Sequence, residues 1–315
     1  MPCMEKIYIF SSLVLCILLL VILSIITTSI KSKPRVSKEK QKIAIVVSGG
    51  GMKCAYAAGV LIALAEQLKL TEPDIAVGSS GGGASLLYYI SGQYELGRQI
   101  WTELLSTGKF ISLTRLYPIF DMDYLVDTVF KKQAPLDTDK ILKSKTKLFL
   151  AATNYVTGQT EYLSNDGSTD IFEAARATVA LPYVYNKKVN INGNEYVDGD
   201  VASSININIQ KAIKEGATKI LVIENDRTLP NQPADTSLYW KILSFIESEP
   251  IRNAIKNNET KKDYVIPENV EMFYVEPSTV TTISAIDHNQ DDLKKTFKLG
   301  YDDVTNNSKL IEFLK

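Results

Sequence analysis

The chain contains a single histidine, His288, among 315 residues. That scarcity removes any metal centre built from several imidazoles and leaves a histidine-dependent catalytic triad one residue to draw on. Three cysteines, two of them before residue 17, cannot build a disulfide framework. Net charge is −1, so the overall field gives no reason to expect nucleic acid or a strongly charged substrate as a partner. Internal repeats and low-complexity tracts are also missing. What remains is an ordinary globular composition, 45% hydrophobic and 23% charged, sufficient to bury a core.

The N-terminus is different material. From Ile7 to Ile30 the chain reads IYIFSSLVLCILLLVILSIITTSI without a charge. At roughly 1.5 Å per residue such a helix exceeds the ~30 Å hydrocarbon core of a bilayer. A cleaved signal peptide would have a shorter apolar core and an A-x-A site, and only Thr27, Thr28 and Ser29 offer small residues. A lipoprotein site at Cys16 would want a small residue before it, where Leu15 stands. The expectation is a short tail over 1–6 and an uncleaved single-pass transmembrane anchor over 7–30. Residues 31–42, KSKPRVSKEKQK, are basic with one acid, whereas only Glu5, Lys6 and the amino terminus precede the anchor. The positive-inside rule then puts the rest of the chain on the cytoplasmic side, and the same basic linker favours anionic headgroups.

From Ile43 the pattern is α/β and is read as one domain over 43–315. IAIVVS (43–48) is an apolar run ended by Gly49-Gly50-Gly51, as in a strand buried on both faces. A helical stretch follows over Lys53–Leu70, then a strand over Asp74–Ser79 and a helix over Gly82–Ile90. Strand, glycine turn and helix, repeated, is the grammar of a parallel sheet with right-handed crossovers. Further strands are expected at Lys147–Thr153, Lys219–Glu224 and Met272–Val275. Further helices are expected at Asp170–Val179, Asn206–Lys214, Ser237–Asn257 and Asp291–Leu314.

Three motifs can carry chemistry. Gly78-Ser79-Ser80-Gly81-Gly82 satisfies G-x-S-x-G with Ser80 at its centre, between an apolar strand and a helix. There a serine sits on a sharp turn, with free helix N–H groups near any developing oxyanion. The plainer alternative is a glycine-rich turn. Ser48–Leu61, SGGGMKCAYAAGVL, exposes a row of backbone donors; it fails the phosphate-loop pattern at Lys53-Cys54 and the dinucleotide pattern at Cys54. An oxyanion loop is the sharper reading, a tight turn without ligand the blander one. Tyr196–Asn206, YVDGDVASSIN, contains Asp198-Gly199, ordinarily a turn. A serine nucleophile needs a positioned base, and here that base is either His288 or a carboxylate.

Taken in order, Ser48-Gly49-Gly50-Gly51-Met52-Lys53, Gly78-Ser79-Ser80-Gly81-Gly82 and Asp198-Gly199-Asp200 resemble the patatin-like phospholipase family. ARATVALPYVY (Ala175–Tyr185) is similar to the family's A-x-x-A-S-x-A-x-P segment, and FKLGYDDV (Phe297–Val304) to its closing helix, so the resemblance covers residues 43–304. It implies a three-layer α/β/α sandwich with a mostly parallel central sheet. It implies Ser80 as nucleophile and Asp198 as base in a dyad, with the amides of Gly49, Gly50, Gly51 and Met52 as oxyanion donors. Lys53, Gly78, Gly82 and Gly199 would support them. The implied reaction is hydrolysis of acyl esters in phospholipids or related lipids through an acyl-serine, without metal or cofactor, on a membrane. Cys54 stands where the family carries glycine, and Thr178 where it carries serine.

Two other readings remain. Ser80, Asp198 and His288 follow the chain order of an α/β-hydrolase triad. A non-enzymatic membrane-anchored binding protein could keep the fold, although both Ser80 and Asp198 are present. Substrate preference is expected to reside in residues 105–140 and 228–265.

Overall fold

The computed structural model describes residues 41–115, 118–185, 187–227, 237–259, 264–281 and 283–315. The expected tail, anchor and nearly all of the basic linker lie outside them. Lys42–Lys315 forms one compact unit. Among the described residues no helix is long and apolar enough to cross a membrane.

Among the described residues eight strands build one sheet: β1 (Ile43–Val47), β2 (Ile75–Ser79), β3 (Lys147–Asn154), β4 (Thr160–Ser164), β5 (Val189–Ile191), β6 (Asn194–Asp198), β7 (Lys219–Ile223) and β8 (Glu271–Val275). The central run β3-β2-β1-β7-β8 is parallel, and β4, β5 and β6 are antiparallel additions at the β3 side. The helices are α1 (Ala55–Glu66), α2 (Ser80–Ile90), α3 (Tyr94–Gln99), α4 (Thr138–Lys143), α5 (Ile171–Thr178), α6 (Ile205–Lys214), α7 (Ser237–Ile246), α8 (Glu249–Glu259), α9 (Gln290–Thr305) and α10 (Ser308–Phe313).

Strand alternation separates two apolar layers, because successive side chains leave opposite faces of a sheet. Ile45, Val47 and Ala76 join the larger core under α1, α2 and α9. Ala44, Val46 and Val77 pack with Ile209 and Ala212 of α6 on the other face. The result is an α/β fold with a mostly parallel sheet covered on both sides, in line with its apolar strand runs.

α1 is apolar all round, AYAAGVLIALAE, and its residues are buried from Ala55 to Ala65. Such a helix needs cover on its outer side, which α9 supplies at very close range. A Cβ added at Gly59 would lie 2.0 Å from the Phe297 carbonyl oxygen, and one at Gly300 would lie 2.1 Å from that of Tyr56. The two backbones therefore touch where both side chains are missing.

Element ends differ from expectation for local reasons. The helix expected over Ser237–Asn257 is split into α7 and α8 around Glu247–Ser248. Pro250 lacks an N–H and its ring would meet the Ile246 carbonyl in a continuous helix; it sits instead in the first turn of α8. The helix expected over Asp291–Leu314 breaks at Asn306-Asn307, where the Asn307 side chain accepts from the Leu310 amide and starts α10. The stretch expected to be helical from Lys53 to Leu70 opens as a 3-10 turn over Gly51–Cys54, and α1 ends at Glu66, ahead of the positive φ of Lys69.

Candidate active site

The site forms where β1, β2 and β6 end together. On one edge β3 pairs with β2 as far as Ser79↔Ala151. Its next residue, Ala152, pairs with Asp198 of β6 and, on its other flank, with Glu161 of β4. A strand residue has two flanks only, so β6 takes over the edge that β2 leaves. β2 and β6 thus run toward each other, and their last residues bring Ser80 and Asp198 face to face.

Ser80 follows β2 with φ +49°, a left-handed conformation that is costly for a non-glycine residue and marks a sharp strand-to-helix elbow. Its Oγ donates to Asp198 Oδ2 at 2.9 Å, and both side chains are buried. Its amide donates to Thr178 Oγ1 at 3.1 Å, while the Thr178 hydroxyl donates to the Ala151 carbonyl at 2.6 Å. Threonine at 178 therefore keeps the hydroxyl that ties the elbow to β3. The Asp198 amide is held by the Ala180 carbonyl at 2.9 Å, and its own carbonyl accepts from Thr153 Oγ1 at 2.8 Å.

Asp200 adds a second, half-buried acid. Its amide donates to Asp198 Oδ1 at 2.8 Å, and its Oδ1 accepts from Ser79 Oγ at 2.5 Å. Burial and the neighbouring Asp200 charge push the Asp198 carboxyl well above the usual carboxylate range, against the opposing hydrogen bonds from the Asp200 amide and Ser80. Burial pushes Asp200 up to about 6, with the Ser79 hydroxyl pulling the other way. Such a carboxylate is a stronger base than a solvated one.

The loop Gly49–Gly51 lies beside this pair. A Cβ at Gly49 would sit 1.8 Å from Asp200 Oδ2, so no side chain fits there. Gly50 and Gly51 both have positive φ, 141° and 59°. The Met52 amide, expected in the same row of donors, donates instead to the Ala285 carbonyl at 3.0 Å, because the 283–287 segment packs directly against the loop. Met52 contributes its side chain to the pocket described below. Lys53 Nζ pairs with Asp226 Oδ2 at 2.7 Å. Gly78 packs on Gly83 and Leu86, Gly82 beneath the Ser48 carbonyl, and Gly199 on the Ala151 carbonyl. Cys54 is buried, and burial together with the Asp200 and Asp198 charges pushes its thiol well up, so it packs as a neutral group.

Asn225 was not legible as a site residue. It follows β7 and is 2% exposed. Its Nδ2 donates to the Ser48 carbonyl at 2.7 Å and the Gly49 carbonyl at 3.3 Å, and its Oδ1 accepts from the Ala57 amide at 3.0 Å. One side chain thereby pins the glycine loop to the start of α1. The available signal was position alone: a polar residue directly after a buried parallel strand, at the end of the sheet where such folds bind ligands.

His288 is half-buried in the loop before α9, and among the described residues no hydrogen bond joins it to Ser80 or Asp198. No cluster of His, Cys, Asp or Glu among the described residues could hold a metal ion.

A narrow pocket opens at Ser80, Gly51 and Met52 and is walled by Trp101, Phe110, Phe120, Leu125 and Phe130. Its walls draw on residues 105–140, expected to govern substrate preference, through the π-helical turn at Tyr124–Gln133, and on a second such turn at Ile100–Leu104 that lies outside the expected region; nothing from 228–265 lines it among the described residues. Buried Arg176 secures the Tyr124–Gln133 turn to α5, bonding Asp123 at 2.6 Å and Asp127 at 2.9 Å. A second, wider cleft, also lined by Gly49 and Gly50, meets Ser79, Asp200, Ser203 and Glu224.

The patatin-like phospholipase family model matches residues 45–210, more than half of the chain and inclusive of Gly49–Gly51, Ser80 and Asp198. An uncharacterized Escherichia coli K12 protein, YjjU, is 24% identical over 278 residues, covering 82% of this chain and 75% of its own. Among solved structures, VipD from Legionella pneumophila is 14% identical with a TM-score of 0.47, over 87% of this chain and 67% of that one. Human GIVD cytosolic phospholipase A2, in complex with methyl γ-linolenyl fluorophosphonate, is 11% identical with a TM-score of 0.46, over 87% and 58%. On the family match, the chain belongs to the patatin-like phospholipases and is a serine-based hydrolase of lipid esters.

Proposed function

We propose that the chain is a membrane-anchored lipid acyl hydrolase of phospholipase A or lysophospholipase type, working through a Ser80–Asp198 dyad and an acyl-serine intermediate. The observation that carries this reading is the direct 2.9 Å hydrogen bond from Ser80 Oγ to Asp198 Oδ2 at the mouth of an apolar pocket. Asp198 takes the hydroxyl proton as Oγ attacks the ester carbonyl carbon, and the amides of Gly49–Gly51 receive the developing oxyanion. Collapse of the tetrahedral species breaks the ester C–O bond, and the leaving alcohol takes the proton from Asp198. Water, deprotonated by the same carboxylate, then releases the fatty acid and restores Ser80. The acyl chain occupies the pocket walled by Phe110, Phe120 and Phe130.

The uncharged run over 7–30 and the basic run over 31–42 support a single-pass anchor with the hydrolase on the cytoplasmic side. Anchoring raises the effective concentration of enzyme at its substrate without a new contact. A chain beginning near Gln41 is then slower on vesicles than the full chain; equal rates would remove the anchor from the reading.

The deciding experiment is covalent labelling by a fluorophosphonate. Wild type is labelled, Ser80→Ala is not, and Asp198→Asn is labelled far more slowly. Persistent labelling of Ser80→Ala would overturn the assignment.

A further inference from the structure

One helix turns its apolar side to solvent. On α7, Leu238 is 67% exposed, Ile242 49%, Phe245 79% and Ile246 49%. Spaced i, i+4, i+7 and i+8, they form one stripe. The helix is oriented by its other side: Leu243 packs with Ile251 and Ile255 of α8, and the Tyr239 hydroxyl donates to the Pro182 carbonyl at 2.8 Å. The stripe is therefore held outward rather than left unpacked.

Neighbouring segments extend it. The Tyr183 hydroxyl donates to the Ile246 carbonyl at 3.4 Å, and Tyr183 is itself exposed, on a backbone with φ +62°. Leu181, two residues earlier, lines the pocket that opens at Ser80. Val156, also exposed, lies at the β3–β4 turn, where Tyr155 donates to Glu247 and Gly158 abuts the Pro250 carbonyl. The one charge on α7 is Lys241, which is exposed.

We propose that this face docks on a lipid bilayer, with α7 at the boundary between headgroups and acyl chains. The inference rests on the reading of the site as a lipid acyl hydrolase and adds where substrate enters. A bilayer fits because the stripe adjoins Tyr183, two residues from the pocket-lining Leu181, so an acyl chain has a short path from one apolar medium to another. The lone cation complements anionic headgroups, as on in-plane amphipathic helices. A protein seated there would cover the segment that leads to the opening.

The test uses the full chain in phosphatidylcholine–phosphatidylglycerol vesicles with dibrominated acyl chains. Tryptophan emission in Phe245→Trp is quenched about twofold or more beyond that in Val265→Trp, an exposed position outside the stripe. Ile242→Glu/Phe245→Glu loses about tenfold or more of vesicle hydrolysis and keeps hydrolysis of a soluble butyrate ester within about twofold. Equal quenching at the two positions, or unchanged vesicle hydrolysis, would overturn the docking. A face covered by a second copy, or by the chain's own N-terminal apolar run, leaves position 245 unquenched and overturns it equally. If wild type hydrolyses neither ester, the hydrolase reading falls, while the quenching still decides the docking.

Discussion

The backbone amide of Asp200 donates to Asp198 Oδ1, so a buried acid and a half-buried one, separated by one glycine, are tied together by the chain itself. The Asp200 charge raises the Asp198 pKa. Asp200→Asn removes that repulsion, so the acidic limb of kcat/KM against pH moves to lower pH while the plateau falls with the weaker base. Stability follows the same link. Asp200 is raised from 3.8 to about 6, so its contribution is present below the ordinary value and lost as pH rises through the folded one. The Tm advantage of Asp200→Asn over wild type therefore grows between about pH 4 and about pH 7, as thermal melts at the two pH values will show.

Asn225 has no contact with the nucleophile, yet it bonds both Ser48 and Gly49 carbonyls. Asn225→Ala leaves buried backbone groups unpaired, a cost of about 1–3 kcal/mol. It also frees the loop, so kcat falls about tenfold or more with little change in KM. A loss confined to Tm would reduce Asn225 to a structural role.

Gly49 and Gly300 separate activity from stability. Gly49→Ala drives a Cβ into Asp200 Oδ2 and shifts the donor loop, so kcat/KM drops about 100-fold while melting changes little. Gly300→Ala drives a Cβ into the Tyr56 carbonyl and costs about 1–3 kcal/mol, with kcat retained in the molecules that remain folded. Calorimetry and steady-state kinetics on both variants check the contrast.

His288→Ala keeps esterase activity within about twofold of wild type if Asp198 alone is the base, whereas a triad loses about 10³-fold or more. A soluble ester assay distinguishes the two.

Much of this was readable in advance because it is local. The apolar runs at 43–48 and 74–79 announced β1 and β2, and the G-x-S-x-G context located the elbow at Ser80. Asp198 came through resemblance, since Asp-Gly by itself reads as a turn. The contacts of Asn225 with Ser48, of Ala285 with Met52 and of Arg176 with Asp123 join residues 53 to 233 positions apart. No periodicity records such pairings. Pro250 was a local signal, but the apolar pattern on both sides of it masked the break between α7 and α8. The short strands β4 and β6 pair with the two flanks of β3, and β5 pairs in turn with β6, so none of them is set by its own sequence alone.

The shared edge of β3 has a consequence for how this site can vary. The separation of Ser80 from Asp198 is set by consecutive residues of one strand, Ala151 and Ala152, which end the β2 ladder at Ser79 and begin the β6 ladder at Asp198. Such a spacing is quantised. A slip of one residue turns the carboxyl to the opposite face of the sheet, and a slip of two moves it by nearly 7 Å. Substitutions in the surrounding pocket can therefore change which lipid is accepted without gradually pulling the two groups apart.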